Sequence, residues 1–124
     1  MIRVIIESPY AGDVEANLTY LRACMRECLL RGEAPFASHA LYTQPGVLDD
    51  LAPSERALGI GAGFVWRASA AYTLVYIDRG VSHGMVAGVI AALSEQEHPV
   101  YACRLGEPEQ RERIRSFEDL DKYR

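Results

Sequence analysis

No run of about 18 apolar residues occurs in the 124-residue sequence, so no segment reads as a membrane-spanning helix. No leader pattern opens the chain: the short apolar start is not followed by a small-residue cleavage site. Cysteine is scarce, with Cys24, Cys28 and Cys103 only and no CxxC pair. An odd thiol count without a leader leads us to expect reduced thiols and a cytoplasmic protein. Three thiols are also too few for a zinc centre. Cys24 and Cys28 share a helix face and read as buried thiols, so no metal and no cofactor are expected. Asn17-Leu18-Thr19 fits a glycosylation sequon, which has no use in a chain without a secretory leader. Positive charge is in deficit, with 13 basic against 17 acidic residues and a net charge of −4. That balance makes the chain a poor candidate for sequence-independent nucleic-acid binding, which needs a basic face, and no nucleic-acid partner is expected. A small anionic ligand remains compatible, because helix N-termini hold phosphates in acidic proteins as well. No internal repeat or low-complexity tract is present.

What remains is an ordinary globular composition, 49% hydrophobic and 24% charged, at the length of one domain. Residues 3–8 (RVIIES) form a β-branched run that ends at Pro9 and reads as a buried strand. Asp13 is a suitable N-cap for a helix over 14–31, with Val14, Leu18, Leu21, Met25, Cys28 and Leu29 as its inward stripe. Glu27 and Arg31 stand four apart on its polar side, and Gly32 follows as the C′ residue. Residues 34–37 make a short strand, and 38–50 a long connection. Asp50 or a neighbour starts a helix with Pro53 in its first turn and Leu58, Ala62, Val65 and Ser69 inward. Residues 72–78 (YTLVYID) are the clearest strand, 84–96 a helix with Met85, Val89, Ala92 and Leu93 inward, and 100–105 the last strand. These give a domain over 1–105. Residues 106–124 form a charged tail in which Ile114, Phe117 and Leu120 predict a short amphipathic helix lying on the surface or against a partner subunit.

Strands alternating with helices predict a small flavodoxin- or Rossmann-like three-layer α/β sandwich, its sheet mostly parallel with four or five strands. In such sheets a ligand sits beyond the C-terminal strand ends, at the switch point. That rule selects three segments. In the first (ESPYAGD), Glu7 ends a strand buried on both faces, where a carboxylate is costly unless paired. It is either a ligand-binding or catalytic acid or a structural one bonded to loop backbone. Gly12 would let the backbone approach a ligand. In the third-strand segment (DRGVSHGM), Ser82 is a plausible N-cap and Gly84 keeps the turn open to a phosphate. The alternative is a capped helix with a solvated Asp78. His83 is an acid, an anion ligand or a surface residue. In the segment FASHALY, His39 and Tyr42 could close over a base or sugar, or pack over the core.

Two further motifs are discounted. Gly59, Gly61 and Gly63 outline a dinucleotide fingerprint, but they lie within a helical pattern and read as close helix packing. Ser82, His39 and Asp78 could be drawn as a triad, but no GxSxG elbow is present.

The strings ESPYAGD with Asn17 and Tyr20 following, RGEAPFASHALYTQPGVLDD, VYIDRGVSHGM and HPVY resemble a family of short bacterial and phage proteins. That family is similar to the nucleoside 2-deoxyribosyltransferase-like superfamily, which includes 2′-deoxynucleoside 5′-monophosphate N-glycosidases. The resemblance implies a flavodoxin-like fold and a nucleotide-like ligand at the strand C-termini, in homo-oligomers whose neighbour often completes the pocket. If the chain is active, Glu7 or Asp78 would supply the catalytic carboxylate, and Ser82 and Gly84 the phosphate contact. Tyr10, His39 and Tyr42 would meet base and sugar, with Ser8, Gly12, Asn17, His83 and Met85 completing the lining. The glutamate that active members carry on the helix after the third strand falls here at Val86 or Gly88, and the first acid on that helix is Glu95. Three readings follow: a nucleotide-pocket enzyme, a non-catalytic binder, or an oligomeric scaffold. The missing helix glutamate favours a binder with weak or absent N-glycosidic chemistry. A homodimer with close approach through Gly59 and Gly63 is expected.

Overall fold

The computed structural model describes residues 1–95 and 97–124. The order is β1 (Ile2–Glu7), α1 (Val14–Leu30), β2 (Glu33–Phe36), α2 (Ser38–Leu41), α3 (Pro53–Arg67), β3 (Tyr72–Tyr76), α4 (His83–Leu93), β4 (Val100–Cys103), β5 (Glu112–Ile114) and α5 (Phe117–Asp121). The strands form one sheet in the order β2-β1-β3-β4-β5, parallel except for the antiparallel β5. The chain leaves β1 to one side for β2 and returns on the other for β3. The switch point therefore lies between the C-terminal ends of β1 and β3. The three-layer α/β expectation holds, with five strands.

Strand alternation divides the side chains between two faces. Val4, Ile6, Leu74 and Tyr76 point toward α1 and pack on Leu21, Cys24 and Cys28. Val75 and Ile77 point the other way, toward Met85, Val89 and Ala92 of α4 and Leu120 of α5. The expected α4 stripe is in place, and Gln96, its expected last residue, lies outside the described residues. Asp13 caps α1 through the Ala16 N–H, and Gly32 takes φ +83° just past its end. The α1 stripe is centred on Asn17, Leu21, Cys24 and Cys28, leaving Leu29 about half exposed.

Several expectations are corrected. The connection over 38–50 contains α2, and the cap of α3 is Ala52 rather than Asp50, which pairs instead with Arg56 at 3.2 Å. The α3 face turned inward carries Gly63 and Arg67, while Leu58 and Val65 are 66% and 73% exposed. Apolar residues surround α3, so periodicity could not select its inner face. The absence of side chains did: a Cβ on Gly63 would stand 2.8 Å from Ser38 Oγ, and one on Gly59 3.4 Å from Leu48 Cδ1. Gly59 and Gly63 are thus used within the chain and are not free for a partner helix.

Residues 106–124 are not a tail lying on the surface. β5 pairs with β4, and Ile114 and Leu120 are buried in the α4-side core. The segment that leads into β5 is fastened to α1 and β2. Glu27 does not pair with Arg31. It accepts from Gly106 N at 2.7 Å and Tyr76 Oη at 3.1 Å, while Arg31 donates to Pro108 O at 3.0 Å. Arg111 donates both Nη atoms to Glu33, at 2.9 and 3.0 Å, and Tyr72 Oη donates to the same carboxylate.

Burial pushes the Glu33 carboxyl up, but the Arg111 and Tyr72 hydrogen bonds outweigh it and hold Glu33 below the ordinary carboxylate range. Its contribution to stability is therefore present above that range and lost as pH falls through it. Arg111→Ala leaves the Glu33 charge without its partner and should cost about 3 kcal/mol in urea unfolding. The difference from wild type should shrink under acid. A loss below about 1 kcal/mol would show the clamp to be marginal.

Candidate functional site

Beyond the β1 and β3 ends lies a cavity of about 480 Å³, walled by β1, the loop after it, Phe36 of β2, α2 and the loop that follows, α3, and α4 from its cap Ser82 to Gly88. The volume suits a small-molecule ligand. Glu7, Ser8, Tyr10, Gly12, His39, Tyr42, Ser82, His83, Gly84 and Met85 all line it. Asp78 and Asn17 do not, and both assignments are corrected.

Asp78 follows the parity of Leu74 and Tyr76, so its carboxylate turns to the α1 side. There it accepts from Tyr20 Oη and from Leu105 N at 3.0 Å. Glu7 shares parity with Ile5, which lines the cavity. One residue of offset thus separates the two acids by the thickness of the sheet. Asn17 is 5% exposed and spends its amide on the rim. It donates to Tyr10 O and Ala11 O at 3.0 and 3.2 Å and accepts from Arg79 Nε at 3.0 Å. This amide ties the loop after β1 to the loop after β3.

The start of α4 suits an anion. Ser82 accepts from Met85 N at 3.3 Å, and Gly84 opens the first turn. The Arg56 guanidinium stands beside it, 3.8 Å from where a Gly84 Cβ would be. The α1 start is less suited, because the Asp13 carboxylate already caps it. Gly12, at φ +96°, holds a conformation that favours glycine in that turn.

The α2 and α3 side is aromatic. Phe36 and Tyr42 lie 6.2 Å apart edge to face, and Trp66 Nε1 donates to Tyr42 Oη at 2.9 Å. Ile60 and Phe64 of α3 add apolar wall. His39 Nε2 and Ser8 Oγ share a hydrogen bond of 2.9 Å. Burial pushes the His39 imidazole down to about 4, so it is neutral at pH 7.

Glu7 is a carboxyl placed in a largely apolar cavity wall. Burial pushes its carboxyl up to about 7, opposed by the Arg67 guanidinium 3.6 Å away. A Cβ on Gly88 would fall 2.4 Å from Glu7 Oε1, so the carboxylate fills the space a side chain at position 88 would need. Arg67, Arg56, Phe64 and Gly88 were not picked out as site residues from the sequence. The available signal for Arg67 was its isolation: it follows ten uncharged residues, 57–66, on an apolar helix, and Glu7 lacked an evident partner.

Folded Glu7 keeps its proton up to about pH 7, whereas an unfolded one loses it near 4.5. Its contribution to stability is therefore complete below the unfolded value and is lost as pH rises through about 7. His39 acts in the opposite sense between about 4 and 6.5, which leaves Glu7 alone above that window. The wild-type melting temperature should fall from pH 6.5 to about pH 8, and Glu7→Gln should flatten this fall. Parallel profiles for the two proteins would exclude a proton held by Glu7.

No curated protein matches the chain. Residues 2–102, which contain β1 through most of β4 and every residue of the cavity wall, match a family described as a domain of unknown function (DUF7768). The chain belongs to that family.

Proposed function

We propose that the cavity binds a nucleotide or a nucleotide-derived small molecule. The observation that carries this reading is the arrangement of its wall. The anion-suited start of α4 and the Glu7 carboxylate are met at Gly84 and Gly88, one helical turn or about 6 Å apart. A pentose ring spans that interval, with its phosphate at Gly84 and Arg56 and its anomeric carbon toward Glu7. Phe36, Tyr42 and Phe64 offer aromatic surface for a base. The resemblance to the deoxyribosyltransferase-like superfamily supports the same ligand class.

A second reading, cleavage or transfer of the N-glycosidic bond, is favoured by Gly88. One of the two positions where the superfamily's helix glutamate would fall is a glycine here, and Glu7 fills the space beside it. On this reading the carboxylate has moved from α4 to β1 instead of being lost. Ionised, it would stabilise positive charge on the sugar; protonated, it would supply a proton to the departing base. A group titrating near neutrality has access to both forms. Asp78 has no part in either, being on the other side of the sheet.

The test is thermal shift with deoxynucleotides, ribonucleotides and bare nucleosides, followed by chromatography of released base. A ligand at 100 times its Kd should stabilise by about 2.7 kcal/mol. Phosphorylated ligands should bind better than nucleosides, and Arg56→Ala should narrow that gap. Absence of any nucleotide shift would overturn the binding reading. Base release should fall on the order of 10³-fold in Glu7→Gln and return in part in Glu7→Gly/Gly88→Glu. Release retained in Glu7→Gln would overturn the role of Glu7.

We also propose that the chain forms a homodimer through the outward face of α3. Leu58, Gly61 and Val65 line that face, next to Leu51 at 92% exposure, and no charged side chain interrupts α3 between Arg56 and Arg67. An apolar strip this continuous is usually covered in solution. Gly61 has nothing within 4 Å of a built Cβ, which leaves room for a second copy to approach. Sedimentation at micromolar concentration should give twice the chain mass, and Val65→Asp should give the monomer. A wild-type monomer would overturn this interface.

A further inference from the structure

Arg67 differs from Arg111, the partly buried arginine that clamps Glu33, in how it uses its charge. Its side chain is 3% exposed, and it faces two carboxylates from different elements, Glu7 Oε1 at 3.6 Å and Glu95 Oε1 at 3.9 Å. Both separations suit an ion pair, and both are too long for a hydrogen bond. Nε and Nη1 donate to no acceptor among the described residues. Arg111, by contrast, places both Nη atoms on Glu33 at hydrogen-bond distance. An arginine whose only duty is to pin helices to a sheet ordinarily takes that second form. Arg67 is instead held by packing, with its guanidinium 4.7 Å from the centroid of the Phe64 ring. It offers Glu7 an electric field without a fixed hydrogen bond.

We propose that Arg67 is a positioning residue for Glu7: its charge opposes the cost of burying the Glu7 carboxyl and holds it in place against Gly88, while Glu95 pairs with the other end of the guanidinium. The proposal rests on the reading of Glu7 as the group that meets the ligand. Gly88 presents no side chain to the carboxylate, so the α4 wall supplies no competing charge there. The other charged or titratable groups on the cavity wall are Tyr10 after β1, His39 on α2, Tyr42 just past it, Asp50, Glu55 and Arg56 around the start of α3, and His83 at the start of α4. Of the charged groups, only Arg67 acts appreciably on Glu7, and it opposes burial. A freely hydrogen-bonding partner would fix the carboxylate in a salt bridge. A partner at 3.6 Å biases its ionisation and leaves its lone pairs available to a ligand.

The test is a carbon-13 carboxyl titration of Glu7 in the whole chain, assigned with Glu7→Gln, in wild type, Arg67→Met, Arg67→Gln and Arg67→Lys. The melting temperature of each is recorded alongside. Removing the charge should raise the Glu7 midpoint by roughly one unit or more in Arg67→Met and Arg67→Gln. Arg67→Lys, which keeps the charge but not the planar fork, should restore most of it. Either neutral variant suffices if the other does not fold. An unchanged midpoint in a folded neutral variant overturns the proposal even where its melting temperature falls, because Arg67 is then a packing pin alone. The titration needs no ligand. Its failure leaves nucleotide binding standing, and a failure to bind nucleotides leaves the Arg67–Glu7 coupling standing.

Discussion

Placing the Glu7 carboxylate at the floor of an apolar cavity costs free energy, and the surrounding elements are arranged to offset that cost. The position follows from the sheet. β1 is a central strand, its residues alternate between two covered faces, and Glu7 falls on the face shared by α3 and α4. Three features answer to it. Arg67 brings a cation from the far end of α3. Gly88 removes the side chain that would otherwise collide with the carboxylate. Gly63, one turn before Arg67, lets α3 lie close enough to α2 for that arginine to turn inward. The turn that carries Arg67 inward also sends Leu58 and Val65 outward. The exposed apolar strip on α3 and the buried ion pair are thus two results of one helix orientation.

The two faces of the sheet carry different work. On the α1 side most polar groups are consumed by one another, Arg111 Nε being the exception among the described residues. Asp78, Tyr20, Glu27, Tyr76, Glu33, Tyr72 and Arg111 form hydrogen bonds that hold the segment before β5 against α1 and β2. On the α3 and α4 side the central charged pair is left without hydrogen bonds. Glu7 and Arg67 stand near each other without a hydrogen bond, and His39 is neutral. Saturated networks give rigidity, and unsaturated groups give binding capacity. The saturated side is also where an odd-looking acid, Asp78, proved to be structural.

How much of this was legible follows from what kind of signal each feature leaves. Local signals were read well. Asp13 and Ser82 cap helices and Gly32 ends one, because caps depend on a few consecutive residues. The sheet class followed from alternation of element types. Signals that need a partner elsewhere in the chain were lost. Glu27 and Arg31 looked like a pair because they stand four apart, but each found a stronger partner in the loop from Gly106 to Pro108, which sequence spacing does not reveal. β5 is three residues long and rich in charge, and it becomes a strand only because β4 offers an open edge. α3 was misread for a third reason. Its apolar residues lie on every side, so the inner face was set by where side chains were missing. Ten of the twelve residues named for the site line the cavity, because topology alone selects loops at strand ends, but the α3 wall was not foreseen. The error over Asp78 came from reading a strand end as a point instead of as a parity.

Parity also bears on how a site can move within a fold while keeping its chemistry. A side chain on α4 and a side chain at the end of β1 approach the same volume from different layers, about one side-chain length apart. Gly88 and Glu7 occupy such a pair of positions, since a Cβ on the first would touch the carboxylate of the second. A carboxylate on the helix would be carried by the element whose start is proposed to meet the anion, so both would shift together with α4. A carboxylate on β1 is fixed to the centre of the sheet, with parallel partners on both sides. The strand position therefore uncouples the acid from movements of the helix that would hold the phosphate. It also brings the acid within reach of a cation from α3, which has no counterpart in the local sequence of either strand or helix. The ionisation of Glu7 thus depends on the packing of α3 against α2, and so does the apolar strip on the outer face of α3. A partner that grips that strip would act on Glu7 through the same helix that carries Arg67.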